Sequence, residues 1–164
     1  MSPASDSLAL AIRKILFPTD FSELSLVALR YARAFSEQFA AHLYCLHVVD
    51  EAQQYWSALG PEATPIAPPV DDILEAAGKQ MQAFHDEHLI GLEYAPVTKV
   101  ALGKPFVEII TYAREITADL LVMATHGRSG LMHALMGSTA ERVVRKAPCP
   151  VLTVRAGEHE FVLP

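Results

Sequence analysis

Leu120-Leu121-Val122-Met123-Ala124-Thr125-His126-Gly127-Arg128-Ser129-Gly130, followed by Gly137-Ser138-Thr139-Ala140-Glu141, is the stretch on which the fold turns. The run from Leu120 to Ala124 has no polar face, as expected of a strand covered on both sides of its sheet. It ends in a loop with little side-chain bulk, and a Gly-Ser-Thr turn then opens a helix. Glycine lets backbone approach a ligand closely, and the free N–H groups at a helix start attract anions. A phosphate group needs that combination.

Working outward, the same alternation recurs along the chain. Lys14 to Phe17 reads as a short strand ending at Pro18. Asp20 then stands as a helix N-cap, with Glu23 completing a capping box. Leu24, Ala28, Tyr31, Ala32, Phe35 and Phe39 form the apolar stripe of that helix. Leu43 to Val49 is a second continuous apolar strand. A helix is expected from about Val70 to Leu89, with Ile73, Ala77, Met81, Phe84 and His88 on one face. Residues 92–102 read as a strand in which Pro96 removes a ladder donor, which places it at a sheet edge. Gly103-Lys104-Pro105 starts another helix, with proline where a missing N–H does no harm, and Phe106, Ile109, Ile110 and Ala113 face inward. Asp119 to Met123 is the fourth strand, residues 138–146 the last helix, stopped by Pro148, and Val151 to Val154 the last strand.

Helices alternating with buried strands imply an α/β fold, a single-domain open five-stranded parallel sheet with right-handed crossovers and helices on both faces. With the Pro96 strand at an edge, the favoured order is 3-2-1-4-5. Strands one and four are then central neighbours, and the chain reverses direction between them. Open α/β sheets bind ligands at such a switch point, beyond the C-terminal ends of the strands. The loop after strand one is Pro18-Thr19-Asp20, and the loop after strand four is the glycine motif. Two separate readings meet at one place.

Composition narrows the function. A chain of 164 residues suits one domain with one core, and an apolar fraction of 51% is too high for disorder. No apolar run reaches the roughly 20 residues of a membrane span, and Met1 to Leu10 lacks the basic start of a signal peptide. Residues 1–11 are expected to be a flexible lead-in, 12–155 the domain and 156–164 a tail. A net charge of −6 argues against a general nucleic-acid binder, whose phosphate contacts demand clustered Lys and Arg. Cys45 lies in an apolar strand and Cys149 between two prolines, so two reduced thiols in a cytoplasmic protein are expected. Residues 51–69 carry Pro61, Pro65, Pro68 and Pro69 and form a long connection that leaves strand two at the ligand end of the sheet. Such a connection is either a lid or a surface loop.

The glycine region is not a Walker A loop, because no Lys precedes Ser138-Thr139. It also lacks the spacing of a nucleophile elbow, and no G-x-G-x-x-G follows strand one. What it does resemble is the universal stress protein family of the UspA type, over nearly the whole chain from Lys14 to Arg155. The likeness rests on Ile15-Leu16-Phe17-Pro18-Thr19-Asp20-Phe21-Ser22, Leu46-His47-Val48-Val49-Asp50, Gly103-Lys104-Pro105 and the block from Asp119 through Pro148-Cys149-Pro150-Val151-Leu152.

That resemblance implies a Rossmann-like fold of the adenine-nucleotide alpha-hydrolase-like kind and a set of roles. The ATP-binding branch carries G-x2-G-x9-G-[ST]; here Gly127, Gly137 and Ser138 match, and Ala124 stands at the first glycine. Pro18, Thr19 and Asp20 would line the adenosine side, with the Asp20 carboxylate accepting from the ribose or nearby backbone. Val48 would meet the adenine, with Met123 and Ala124 at the end of the fourth strand. Gly127, Gly137, Ser138 and Thr139 would surround the phosphates, and His126 and Arg128 are phosphate contacts on charge grounds. Mg²⁺ or Mn²⁺ would be held by those phosphates rather than by a protein cage. The resemblance also adds to the case for a homodimer through Val151–Val154, an edge too apolar to leave unpaired.

Several residues carry plainer readings. Asp20 is also an N-cap, and Ser138 with Glu141 is also an ordinary capping box. His85 and His88 have the spacing of a metal pair but read as solvated side chains, and His47 and Cys149 read as structural. The leading functional expectation is a nucleotide-dependent switch or scaffold of the stress response. A slow ATPase or phosphotransferase using Asp20 or His126 to position water, and a nucleotide-free interaction module, stand as alternatives.

Overall fold

The computed structural model describes residues 11–50, 69–126 and 136–155. Five strands, β1 (Lys14–Thr19), β2 (His42–Val49), β3 (Val97–Leu102), β4 (Leu120–Ala124) and β5 (Val151–Val154), alternate with four helices, α1 (Glu23–Phe39), α2 (Val70–His88), α3 (Pro105–Glu115) and α4 (Ser138–Lys146). All strand pairs are parallel, and the sheet order is β3-β2-β1-β4-β5, the order expected from the Pro96 argument.

The period-2 side-chain alternation of each strand sorts the core into two layers. Ile15, Phe17, Leu43, Cys45 and Val122 pack with Ala28, Leu29 and Ala32 of α1 and with Met81 and Phe84 of α2. Leu16, Leu46, Leu121 and Met123 point the other way, onto Ile109, Tyr112 and Ala113 of α3 and Ala140 and Val143 of α4. Ile15, Leu16 and Phe17 are all fully buried, which is why the strand reads as continuously apolar. Burial of Cys45 pushes its thiol up to about 12, so this group behaves as a small hydrophobe.

Some local boundaries differ from the sequence expectation, each for a physical reason. Strand β1 runs through Pro18 to Thr19. Proline is tolerated there because the β4 pairing is registered only at Ile15 and Leu16, so one side of the ladder has already ended. Strand β3 begins at Val97, after Pro96 rather than through it. Phe39, placed on the inner stripe of α1 by periodicity, sits on its last turn and is 36% exposed.

At the end of the sheet away from the strand C-termini, Asp119 stitches β1 to the turn before β4. Its Oδ2 accepts from the backbone N–H of Arg13 at 2.8 Å and of Lys14 at 2.9 Å, while its own N–H donates to the Lys14 carbonyl at 2.9 Å. Asp119→Ala strands two amides at once and is expected to lower the unfolding free energy by about 1–3 kcal/mol. Urea denaturation checks this; an unchanged midpoint and slope would remove the stitch from the stability of the domain.

Candidate nucleotide site

The C-terminal ends of β1, β2 and β4 and the start of α4 enclose a cleft of about 670 Å³. That is within the ~300–1,000 Å³ span of small-molecule sites. It lies where β1 and β4 are neighbours and the chain reverses, the topological switch point. Pro18, Thr19, Asp20, Val48, Met123, Ala124, His126, Gly137, Ser138 and Thr139 all line it. Gly127 and Arg128, also named from the sequence, lie outside the described residues, as does nearly all of the 51–69 connection.

One wall is the turn between β1 and α1. The N-cap of α1 is Ser22, whose hydroxyl accepts from Ser25 N–H at 3.2 Å; Asp20 is displaced from the capping role that the S/D-x-x-E spacing assigned to it. Asp20 instead holds the cap: its Oδ1 accepts from both the Ser22 N–H at 3.0 Å and the Ser22 hydroxyl at 2.6 Å. Behind it runs a directed chain of hydrogen bonds. Ser25 Oγ donates to the Ser22 carbonyl at 2.8 Å, so in the 2.9 Å contact with Thr19 Oγ1 the threonine is the donor. Thr19 Oγ1 in turn accepts from the Phe21 N–H at 3.0 Å. Phe21 adopts a left-handed backbone, φ 63°, uncommon for a bulky residue and costing about 1–3 kcal/mol.

The opposite wall is the start of α4. Gly137 is its N-cap and offers no side-chain cap of its own; Ser138 is already the first helical residue, so it does not serve as the N-cap of a Ser138–Glu141 capping box. Ser138, Thr139 and Ala140, whose amides have no intrahelical acceptor, line the cleft at the positive end of the helix dipole. Gly137 has an ordinary negative φ of −68°, so freedom of rotation is not what requires glycine. Close approach is. Its N–H donates to the Thr125 carbonyl at 2.7 Å, and a Cβ built there would lie 3.1 Å from that same oxygen. At the end of β4, Thr125 Oγ1 also meets His126 Nδ1 at 3.0 Å.

Sequence reasoning missed Ser25, Thr125 and Ala140, which line the cleft from α1, the end of β4 and α4, and a further group from β2, the residue after it and α3. His47, Asp50, Pro105 and Ile109 line the same cleft. Pro105 and Ile109 were visible only as the start and the inner face of a helix. His47 is placed by register, opposite Thr19, and its Nδ1 lies 2.8 Å from the Thr19 carbonyl. Neither cysteine lines the cleft; Cys149 is half-buried, and burial, with a smaller contribution from Asp119, raises its thiol above the ordinary value. His85 and His88 lie on α2, where His85 Nδ1 contacts Asp86 Oδ1 at 3.0 Å.

The sequence profile of the universal stress protein family matches residues 11–155. The chain belongs to this family. Universal stress protein MJ0531 of Methanocaldococcus jannaschii is 34% identical over 152 residues, covering 90% of this chain and 85% of the relative. The solved structure of hypothetical protein MJ0577, which shares its designation with a universal stress protein of the same organism, superposes with a TM-score of 0.74 at 30% identity, over 91% of this chain and 99% of that one. A universal stress protein solved in complex with cAMP has a TM-score of 0.64 at 21% identity, over 88% and 97% of the two chains, a likeness of fold. The doubly wound sheet and its crevice thus carry the universal stress protein architecture.

Proposed function

We propose that this universal stress protein binds ATP in the β1/β4 crevice and acts as a nucleotide-dependent switch or scaffold in the cytoplasm. The observation that carries the reading is the pairing of unlike walls across one cleft: Asp20 on the β1 side and the first turn of α4, whose amides have no intrahelical acceptor, on the other. A carboxylate suits ribose hydroxyls, which donate, and helix N-terminal amides suit phosphate oxygens, which accept. The close approach of Gly137 to the Thr125 carbonyl seats the start of α4 against the end of β4, which is what brings its first amides to the cleft. These residues fit an adenine nucleotide: Asp20 and Val48 would hold the nucleoside, and Ser138 and Thr139 the phosphates. The fold-level neighbour that holds cAMP is consistent with this class of ligand.

Among the described residues no group of three or more His, Cys, Asp or Glu is placed to hold a metal ion. Mg²⁺ or Mn²⁺ would travel with the nucleotide and neutralise phosphate charge. Among those residues, too, no helix is long and apolar enough to cross a membrane.

The test is direct. Protein purified without added nucleotide, then denatured, is expected to release adenine nucleotide detectable by mass spectrometry, and stripped protein to bind Mg·ATP in calorimetry. Absence of both would leave the glycines as turn formers and the fold as an interaction module.

A further inference from the structure

Asp20 is held from both sides by groups that the nucleotide reading does not itself require. The peptide plane before it carries the Thr19 carbonyl, which accepts from His47 Nδ1 at 2.8 Å. The plane after it carries the Phe21 N–H, which donates to Thr19 Oγ1 at 3.0 Å. Phe21 is kept in its left-handed conformation, φ 63°, with its ring 4.3 Å from the His47 ring at an interplanar angle of 33° and 5.3 Å from Phe84 of α2. The carboxylate itself is tied at Oδ1 by Ser22. A carbonyl oxygen only accepts, so His47 Nδ1 must carry a proton, and the buried imidazole is fixed in tautomer and orientation. One side chain thereby sets both neighbours of Asp20, one by a hydrogen bond and the other by ring contact.

We propose that His47 is a positioning residue for the nucleotide: it sets the backbone of Asp20, and so the aim of the carboxylate, before the ligand arrives. The inference rests on the ATP-binding reading above. Preorganisation of this kind raises affinity by removing an ordering cost from the binding step. His47 reaches Asp20 because β1 and β2 are parallel neighbours in the register that sets His47 beside Thr19. A one-residue slip would turn the imidazole to the other face.

Two variants separate aim from bulk. His47→Phe keeps a ring against Phe21 and removes the donor, whereas His47→Asn keeps a donor amide near the Nδ1 position and removes the ring. With Mg·ATP as the probe, calorimetry is expected to show a loss of about tenfold for His47→Phe and of no more than about threefold for His47→Asn. The scalar coupling that reports φ at Asp20 is expected to change in the first variant, which loses the donor, and to return toward wild type in the second, whereas the coupling at Phe21 follows the ring and departs from wild type mainly in the second. Nitrogen-15 spectra of the nucleotide-free wild type should show the Nδ1-protonated form.

Equal ATP affinity in all three proteins, equal losses in both variants, or an Nε2–H tautomer in the wild type would each overturn the proposal. If the wild type binds no ATP, the nucleotide reading falls by itself. The positioning claim is then decided by the tautomer and the couplings, which need no ligand and do not depend on either variant matching the wild type in stability.

Discussion

Gly137→Val is expected to weaken Mg·ATP binding about a hundredfold, ~2.7 kcal/mol, while the domain stays folded. The reason lies in where the new side chain would go. A Cβ at position 137 meets the Thr125 carbonyl oxygen at 3.1 Å and His126 Cα at 3.7 Å, both backbone atoms at the end of a central strand. Strand β4 cannot yield without disturbing its pairing with β1 and β5, so the start of α4 must move instead. Moving it lengthens the 2.7 Å bond from Gly137 N–H to Thr125 and turns the Ser138 and Thr139 amides off the cleft. Each charge-assisted hydrogen bond to phosphate is worth about 1.5–3 kcal/mol, so losing the aim of one or two accounts for the expected effect. The cost to stability, from overpacking and from a β-branched N-cap, should be only about 1–3 kcal/mol. Gly137→Ala, which adds the Cβ alone, should fall between wild type and valine in both measures. Calorimetry and thermal melts decide it, and unchanged affinity in the valine variant would detach α4 from the phosphate role.

How far such a site is legible before the structure depends on which interactions build it. The strand order was accessible because Pro96 marks an edge and the central strands are apolar on both faces, both local properties of sequence. The convergence of Pro18-Thr19-Asp20 with Gly137-Ser138-Thr139 followed from that order and from the switch-point rule. The cap of α1 falls on Ser22 rather than Asp20 for a tertiary reason. Asp20 and Ser22 are both good N-cap residues, and the choice between them turns on Phe21 entering a left-handed conformation. Propensity disfavours that conformation for phenylalanine; ring contacts with His47 on β2 and Phe84 on α2 stabilise it. His47 itself read as a structural residue, since its proximity to Thr19 exists only in the register of two strands separated by a whole helix. Tertiary contacts across elements are what a linear reading cannot supply.

Thr153→Pro is expected to convert a dimeric wild type to monomer. Strand β5 is the outer strand beside β4, and Val151, Leu152 and Thr153 are only partly buried within the single chain. In a parallel pair, the N–H and C=O of one residue point to the same neighbour. The carbonyls of Pro150 and Val154 accept from Leu121 and Thr125 N–H groups at 3.0 and 2.9 Å, so residues 150, 152 and 154 are turned inward to β4. Val151 and Thr153 are therefore the residues whose backbone groups face outward. An apolar edge with outward donors and acceptors is suited to pair with a second copy about a twofold axis, antiparallel, in one continuous sheet. Proline at 153 deletes an outward donor and leaves the β4 ladder intact, whereas Val154→Pro would break that ladder and confuse unfolding with dissociation. Sedimentation at micromolar concentration is expected to give a dimer for wild type and a monomer for Thr153→Pro, with closely similar circular dichroism. A wild type that sediments as a monomer would remove the dimer and point to the segment after Arg155, with Phe161, Val162 and Leu163, as the cover of this edge.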